Sequence, residues 1–398
     1  MNKTIRFIIV LTMTTLALIS CGSKTVTPAV TPALPLASPP APLVKRYVSP
    51  TGSDSNPGTE AKPWQTMKKA FRSIEAGDTL YMRGGVYETC YRCGYFENSG
   101  TEEQPITVTN YPGEQVEIRT DVTIGIAHAP FFCWATGSNP TPSVDYIRII
   151  GADVNGEKGI VLRGTGGDIN KVPGVWIAGD CEHWEIAGLH ILETGKGIFL
   201  RKYSNQTITS DSPNYHYIHD NRIEKYYSGE GIQVNGNYNI IENNQIYKVT
   251  NTINTDWACH HINLLGHHNV VRGNDLNAKG STAGCVGVEF EWDIADYNLI
   301  ENNRIEVHGW GTYGYYLYIA GGDNNVIRHN TITGTLDNWY RISNPAPDRI
   351  AWPCNELVDS KSFVPANDPA APDYEYFYNP RNCFSEGNQI YDNVYTRQ

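Results

Sequence analysis

Residues 231–246 read Gly-Ile-Gln-Val-Asn-Gly-Asn-Tyr-Asn-Ile-Ile-Glu-Asn-Asn-Gln-Ile. Two short apolar alternations, Ile232 with Val234 and Ile241 with Ile246, are separated by glycine and asparagine, which predicts strand, turn, strand, turn, strand. The second half recurs. An apolar anchor, a small residue three positions on and an apolar residue five positions on return at 218–223, 271–276, 300–305, 327–332 and 390–395, with weaker copies at 149–154 and 186–191. A self-similar unit of roughly 23 to 30 residues built from strands marks a solenoid, because one coil cannot bury its own apolar face. The asparagine at each turn (Asn221, Asn244, Asn274, Asn303, Asn330) tolerates left-handed backbone and can bond its copy above and below, so it reads as scaffold.

The whole chain agrees with an all-β solenoid. Its 398 residues are 40% hydrophobic and 18% charged, with 37 glycines and 25 tyrosines, a turn-rich composition that leaves little room for long helices. A net charge of −11 argues against nucleic acid as the partner, since phosphate binding needs a basic surface. A polyanionic sugar would need a locally basic groove or a bound cation.

Residues 1–20 have the pattern of a signal peptide: Lys3 and Arg6, an apolar stretch over 7–19, then Leu18-Ile19-Ser20-Cys21. The last four resemble a bacterial lipobox, which implies lipidation of Cys21 and an exported protein anchored to the cell envelope, at the outer membrane or cell surface. An ordinary signal peptide is the alternative. Residues 21–45, punctuated by six prolines from Pro28 to Pro42, predict an extended tether. Nine cysteines less Cys21 leave eight, an even number in an exported chain, so disulfides are expected.

The folded domain is expected over 46–398, interrupted by a long insertion at 336–386 that contains Cys354 and Cys383, read as a stapling pair. It opens with YVSPTGSDSNPGT (47–59), a helix in PWQTMKKAF (63–71) with Met67, Ala70, Phe71 and Ile74 on one face and an end at Gly77, then GDTLYMRGGVY (77–87). These runs resemble the start of right-handed parallel β-helix proteins of the pectate-lyase-like kind. The resemblance implies that fold, a short helix capping the first coil, and a role on polysaccharides. No catalytic motif of that family matches residue by residue.

Superposing the repeats places Ile198/Leu200, Ile232/Val234, Ile262/Leu264, Val288/Phe290 and Leu317/Ile319 as inward pairs. Strict alternation then turns outward Phe199 and Arg201, Gln233 and Asn235, His261 and Asn263, Glu289 and Glu291, Tyr316 and Tyr318, with Lys196 just before them. These rows form one wall at a strand spacing of about 4.8 Å. Cys259 and Cys285 fall at equivalent positions on successive coils and are expected to form a disulfide.

The wall supports three readings. In a polysaccharide lyase acting on a uronate-containing glycan, Arg201, His261 or Tyr318 would transfer the proton and Glu289 and Glu291 would hold Ca²⁺ or substrate, with Lys196, Gln233, Asn235, Asn263 and Tyr316 as binding residues. In an inverting hydrolase, Glu289 and Glu291 would be acid and base, since two-residue spacing separates their Cβ atoms by about 6.5 to 7 Å. The third reading is a non-catalytic surface protein. In each, the partner is a polysaccharide, the membrane is met only through the lipid anchor, and a monomer is expected.

Overall fold

The computed structural model describes residues 43–121, 125–135, 143–165, 172–201, 214–226, 229–247, 259–277, 285–290, 295–307, 317–319, 322–334, 340–342 and 388–397. Their strands form three sheets of eleven, ten and eight strands. Each complete coil supplies one strand to each sheet in turn: Tyr217–His219, Arg222–Glu224 and Glu230–Val234 make one coil, and Ile240–Glu242, Gln245–Tyr247 and Cys259–Leu264 the next. Neighbouring strands pair in parallel, so the fold is a parallel β-helix.

The repeats stack in register. Ile218 pairs with Ile241, Ile241 with Val271, Val271 with Ile300 and Ile300 with Ile327, and each is buried in the central core. The expected inward pairs hold through the eight-stranded sheet, where Ile198, Ile232 and Ile262 are mutual partners, as are Leu200, Val234 and Leu264. Full burial of such a side chain stabilises by about 1.5–3 kcal/mol, and each is satisfied only when the next coil is in place.

At the corner between the eleven- and ten-stranded sheets the asparagines form the expected ladder. The Nδ2 of Asn221 donates to Asn244 Oδ1 at 3.0 Å, Asn244 to Asn274 at 3.0 Å, Asn274 to Asn303 at 3.0 Å, Asn303 to Asn330 at 3.0 Å and Asn330 to Asn393 at 2.9 Å. The left-handed backbone lies one residue earlier than expected, at Asp220, Asn243, Gly273, Asn302 and His329, with φ of 54°, 55°, 66°, 56° and 56°. The preceding residue makes the corner, which frees the ladder asparagine to turn its amide inward.

The first coil carries the short helix Met67–Phe71, which is shorter than the reading to Gly77. Thr66 caps it, its hydroxyl accepting from the Lys69 N–H at 3.1 Å, while the Asp54 carboxylate accepts from the Gln65 and Thr66 backbone at 3.0 and 2.9 Å. Met67, Ala70, Phe71 and Ile74 are buried as the helical face required. Disulfides join Cys90 to Cys93 and Cys133 to Cys181. Cys259 and Cys285 are register partners, and Cys285 is disulfide-bonded. Cys21, Cys354 and Cys383, the leader, most of the 21–45 tether and most of the 336–386 insertion lie outside the described residues, and Lys45 already belongs to the first strand, Lys45–Val48.

Candidate active site

The outer face of the eight-stranded sheet is built by a break in strand alternation. A Cβ added to Gly174, Gly197 or Gly231 would come within 2.5 Å of Ile191, Ile223 or Ile246, so these glycines face the core, as do the residues that follow them. Two consecutive inward positions push the residue before the glycine outward. Lys196, Glu230 and His260 occupy that place, with Glu230 and His260 paired in register.

This corrects one expectation. Strict alternation turned His261 to the wall, but His261 takes the place of Gly231, is fully buried, and has its Nδ1 2.6 Å from the hydroxyl of the buried Tyr226. His260 is the wall residue. Glycine directly before the apolar residue in Lys196-Gly197-Ile198 and Glu230-Gly231-Ile232 was the available signal, since a strand glycine often marks a bulge or close approach.

Four charges alternate along the wall. The Lys196 ammonium bonds the Glu230 carboxylate and also Gln233 Oε1 at 2.7 Å. Glu230 lies 3.9 Å from His260 Nδ1, and His260 Nε2 lies 2.7 Å from Glu289 Oε2, which also accepts from Asn263 Nδ2 at 3.0 Å. Burial alone would neutralise Glu230 and His260. For Glu230 the charges of Lys196 and His260 prevail over burial and hold its pKa down to about 2. For His260 burial is outweighed by Glu289 and Glu230, which push its pKa up to about 10. The ring therefore stays cationic at neutral pH, locked between two carboxylates.

The row that carries Gln233, Asn263 and Glu289 runs on in both directions. Towards the N-terminus it continues through Phe199, Trp176 and Phe132, and towards the C-terminus through Tyr318 and Arg341. The first half is covered: Phe132 and Trp176, ring centroids 4.9 Å apart, are fully buried in a second apolar cluster with Tyr95 and Ala178, and the partly buried Trp134, 5.7 Å from Trp176, packs against it. Phe199 stands at its junction with the polar half, the Lys196 ammonium 4.7 Å and the Arg201 guanidinium 5.8 Å from its ring centroid.

Of the residues picked from the sequence, Lys196, Arg201, Gln233, Asn235, Asn263 and Glu289 share this face, the N–H of Asn235 donating to Leu200 O at 3.0 Å beside Arg201. Tyr318 is the register partner of Glu289. Glu291 and Tyr316 lie outside the described residues. Glu230, His260 and the aromatic cluster were missed, the cluster because its coils carry only weak repeats. Of the two carboxylates expected to hold Ca²⁺, only Glu289 is among the described residues. No group of three His, Cys, Asp or Glu among them could hold a metal ion, and the Glu289 oxygen is taken up by His260 and Asn263.

A family model described as Pel9A-like, right handed beta helix region, matches residues 46–283. The chain is 28% identical over 258 residues to the uncharacterized protein YwoF of Bacillus subtilis (strain 168), covering 59% of this chain and 46% of YwoF. It is 26% identical over 195 residues to the pectate lyase PEL9 of Emericella nidulans, covering 49% of this chain and 37% of that enzyme. The chain thus spans less than half the length of these curated relatives. Among solved structures, XylC in complex with xylose superposes with a TM-score of 0.51 at 14% identity, over 76% of this chain and 70% of XylC, a likeness of fold.

Proposed function

The chain belongs to the Pel9A-like right-handed β-helix family, and on that footing we propose that it is a polysaccharide lyase that cleaves a uronate-containing glycan by β-elimination. The observation that carries this is the aromatic ring of Phe199 flanked by Lys196 and Arg201 on the outer wall. Phe199 is half-buried, and the cations on both sides of its ring suit a sugar that bears a carboxylate. A neutral glycan has no use for them. That a pectate lyase stands among the relatives supports the same reading.

β-Elimination removes the proton beside the uronate carboxylate, leaves its electron pair as a carbon–carbon double bond, and breaks the glycosidic bond so that the departing oxygen takes up a proton. Arg201 meets the carboxylate and so acidifies that carbon, while Lys196, already paired with Glu230, holds the other side of the Phe199 ring. Tyr318, beside Glu289 in register, takes the proton as its phenolate and, as the phenol so formed, returns it to the departing oxygen, a role worth roughly 10²–10⁴ in rate. Gln233 and Asn263 offer amides to sugar hydroxyls. His260 stays charged and fixes the two carboxylates rather than taking a proton. The enzyme acts outside the cytoplasm, held at the envelope through Cys21, and Cys21→Ser is expected to release it into the soluble fraction.

Incubation with pectin, alginate and glycosaminoglycans, read by ultraviolet absorbance, detects the double bond that only a lyase makes. New reducing ends without that absorbance would instead point to a hydrolase built on Glu289 and Glu291. No cleavage of any polymer would leave a binding protein.

A further inference from the structure

Most of the described arginines along the solenoid meet a carboxylate. Arg46 meets Asp78, Arg83 Glu114, Arg148 Glu185, Arg272 Glu242 and Arg328 Glu301. Arg92 meets no carboxylate among the described residues, although it is half-buried and its Nε is shut off from solvent without a hydrogen-bond partner. Its open side, met by water in the free protein, can exchange that water for an anion from outside the chain.

Its setting shows what that is. Arg92 lies inside the Cys90–Cys93 disulfide loop in left-handed backbone, φ 56°, with its N–H bonded to Ala127 O at 2.8 Å. Two residues on from Cys93, Tyr95 bridges to Phe132, which joins the loop to the amino-terminal end of the wall. The guanidinium stands 5.7 Å over the Trp134 ring and 5.5 Å over Tyr91. Trp134 pairs with Ala178 and Ala178 with Arg201, so the two stations lie on one row, two strands or about 9.6 Å apart. A cation over an aromatic ring occurs twice along the same line.

We propose that Arg92 and Trp134 form a second carboxylate-binding subsite, so that the substrate is a run of acidic sugars engaging Arg92 and the Lys196–Phe199–Arg201 station together. The Cys90–Cys93 disulfide is the clamp that holds Arg92 over Trp134. This rests on the lyase reading and adds to it a minimum length of substrate.

Calorimetric titration of the full chain with galacturonate, mannuronate and hyaluronan dimers and hexamers tests it. Arg92→Ala is expected to weaken the hexamer that binds best by about 10- to 100-fold, the range of one charge-assisted hydrogen bond, and to leave the dimer unchanged. Arg92→Lys recovers part of the loss, and the double variant Cys90→Ser/Cys93→Ser loses hexamer affinity in the same direction. Hexamer binding by Arg92→Ala equal to that of the unaltered protein overturns the subsite while the lyase reading stands. Failure of the unaltered protein to bind any of the six probes removes the lyase reading and the subsite with it. Because Arg92→Ala keeps the disulfide, its result decides the matter even where the serine variant does not fold.

Discussion

The asparagine corner and the outer wall of the eight-stranded sheet are crossed by the same coils, yet one repeats a single residue and the other never does. Each ladder asparagine must donate to its copy on one side and accept from its copy on the other, and only an identical amide meets both demands at every step. On the wall, successive coils present Phe199, Gln233, Asn263, Glu289 and Tyr318 at one register. Stacking requires nothing there beyond the strand, so chemistry is free to vary. The outer face of the eleven-stranded sheet varies too, but its pairs, such as Arg148 with Glu185 and Arg272 with Glu242, are partly exposed and worth little. What separates the wall from it is burial: His260 and Glu289 are almost wholly covered, so their charges must be balanced locally.

The contrast is broken most severely at the ladder. Asn274→Ala deletes the bonds to Ile241 O and Asn303 and orphans the N–H of Asn244, an expected loss of about 4 kcal/mol from several unsatisfied groups, read as a shift in the urea midpoint. A loss under about 1 kcal/mol would mean that the apolar core alone holds the corner.

His260→Gln comes next. It leaves Glu289 and Glu230 without the imidazolium between them, at an expected cost of about 3 kcal/mol. The sign against pH follows from the two shifts. His260, raised from 6.5 to about 10, contributes fully below pH 6.5 and loses its contribution as pH rises through about 10; Glu230, lowered from 4.5 to about 2, contributes above pH 4.5 and loses it as pH falls through about 2. The stability gap between the unaltered protein and the variant is therefore widest between pH 4.5 and 6.5, and a gap that widens above pH 7 contradicts the cationic ring.

Tyr318→Phe sharpens the other side, with an expected rate loss of about 100-fold and an unchanged melting temperature. Full activity in this variant would return the proton transfer to another group. The smallest effect is expected from a chelator, which should leave the stability difference due to His260 unaltered, since that imidazole already balances Glu289. A drop on chelation would place an ion at Glu289.

The inward pairs, the ladder and the register of Cys259 with Cys285 could be read from the chain because each depends on a spacing of a few residues repeated many times. Other features could not. The exposed stack of Tyr146, His183, Tyr215, Tyr238, His268 and Tyr297, with neighbouring ring centroids 4.5 to 5.4 Å apart, draws one ring from each of six coils. Arg92 gave no sign at all, because its relation to Trp134 spans a disulfide loop and a coil boundary.

Residues 231–246 therefore carry two kinds of information. Their apolar spacing settles, without any structure, that the coil exists, which side chains enter the core and where asparagine must recur, since strand geometry and stacking are local and periodic. Which of His260 and His261 faces solvent, and that Lys196, Glu230, His260 and Glu289 meet, depends on a backbone break at Gly231 and on loops that bring residues 34, 30 and 29 positions apart into contact, and only packing of the coils sums those lengths into one place.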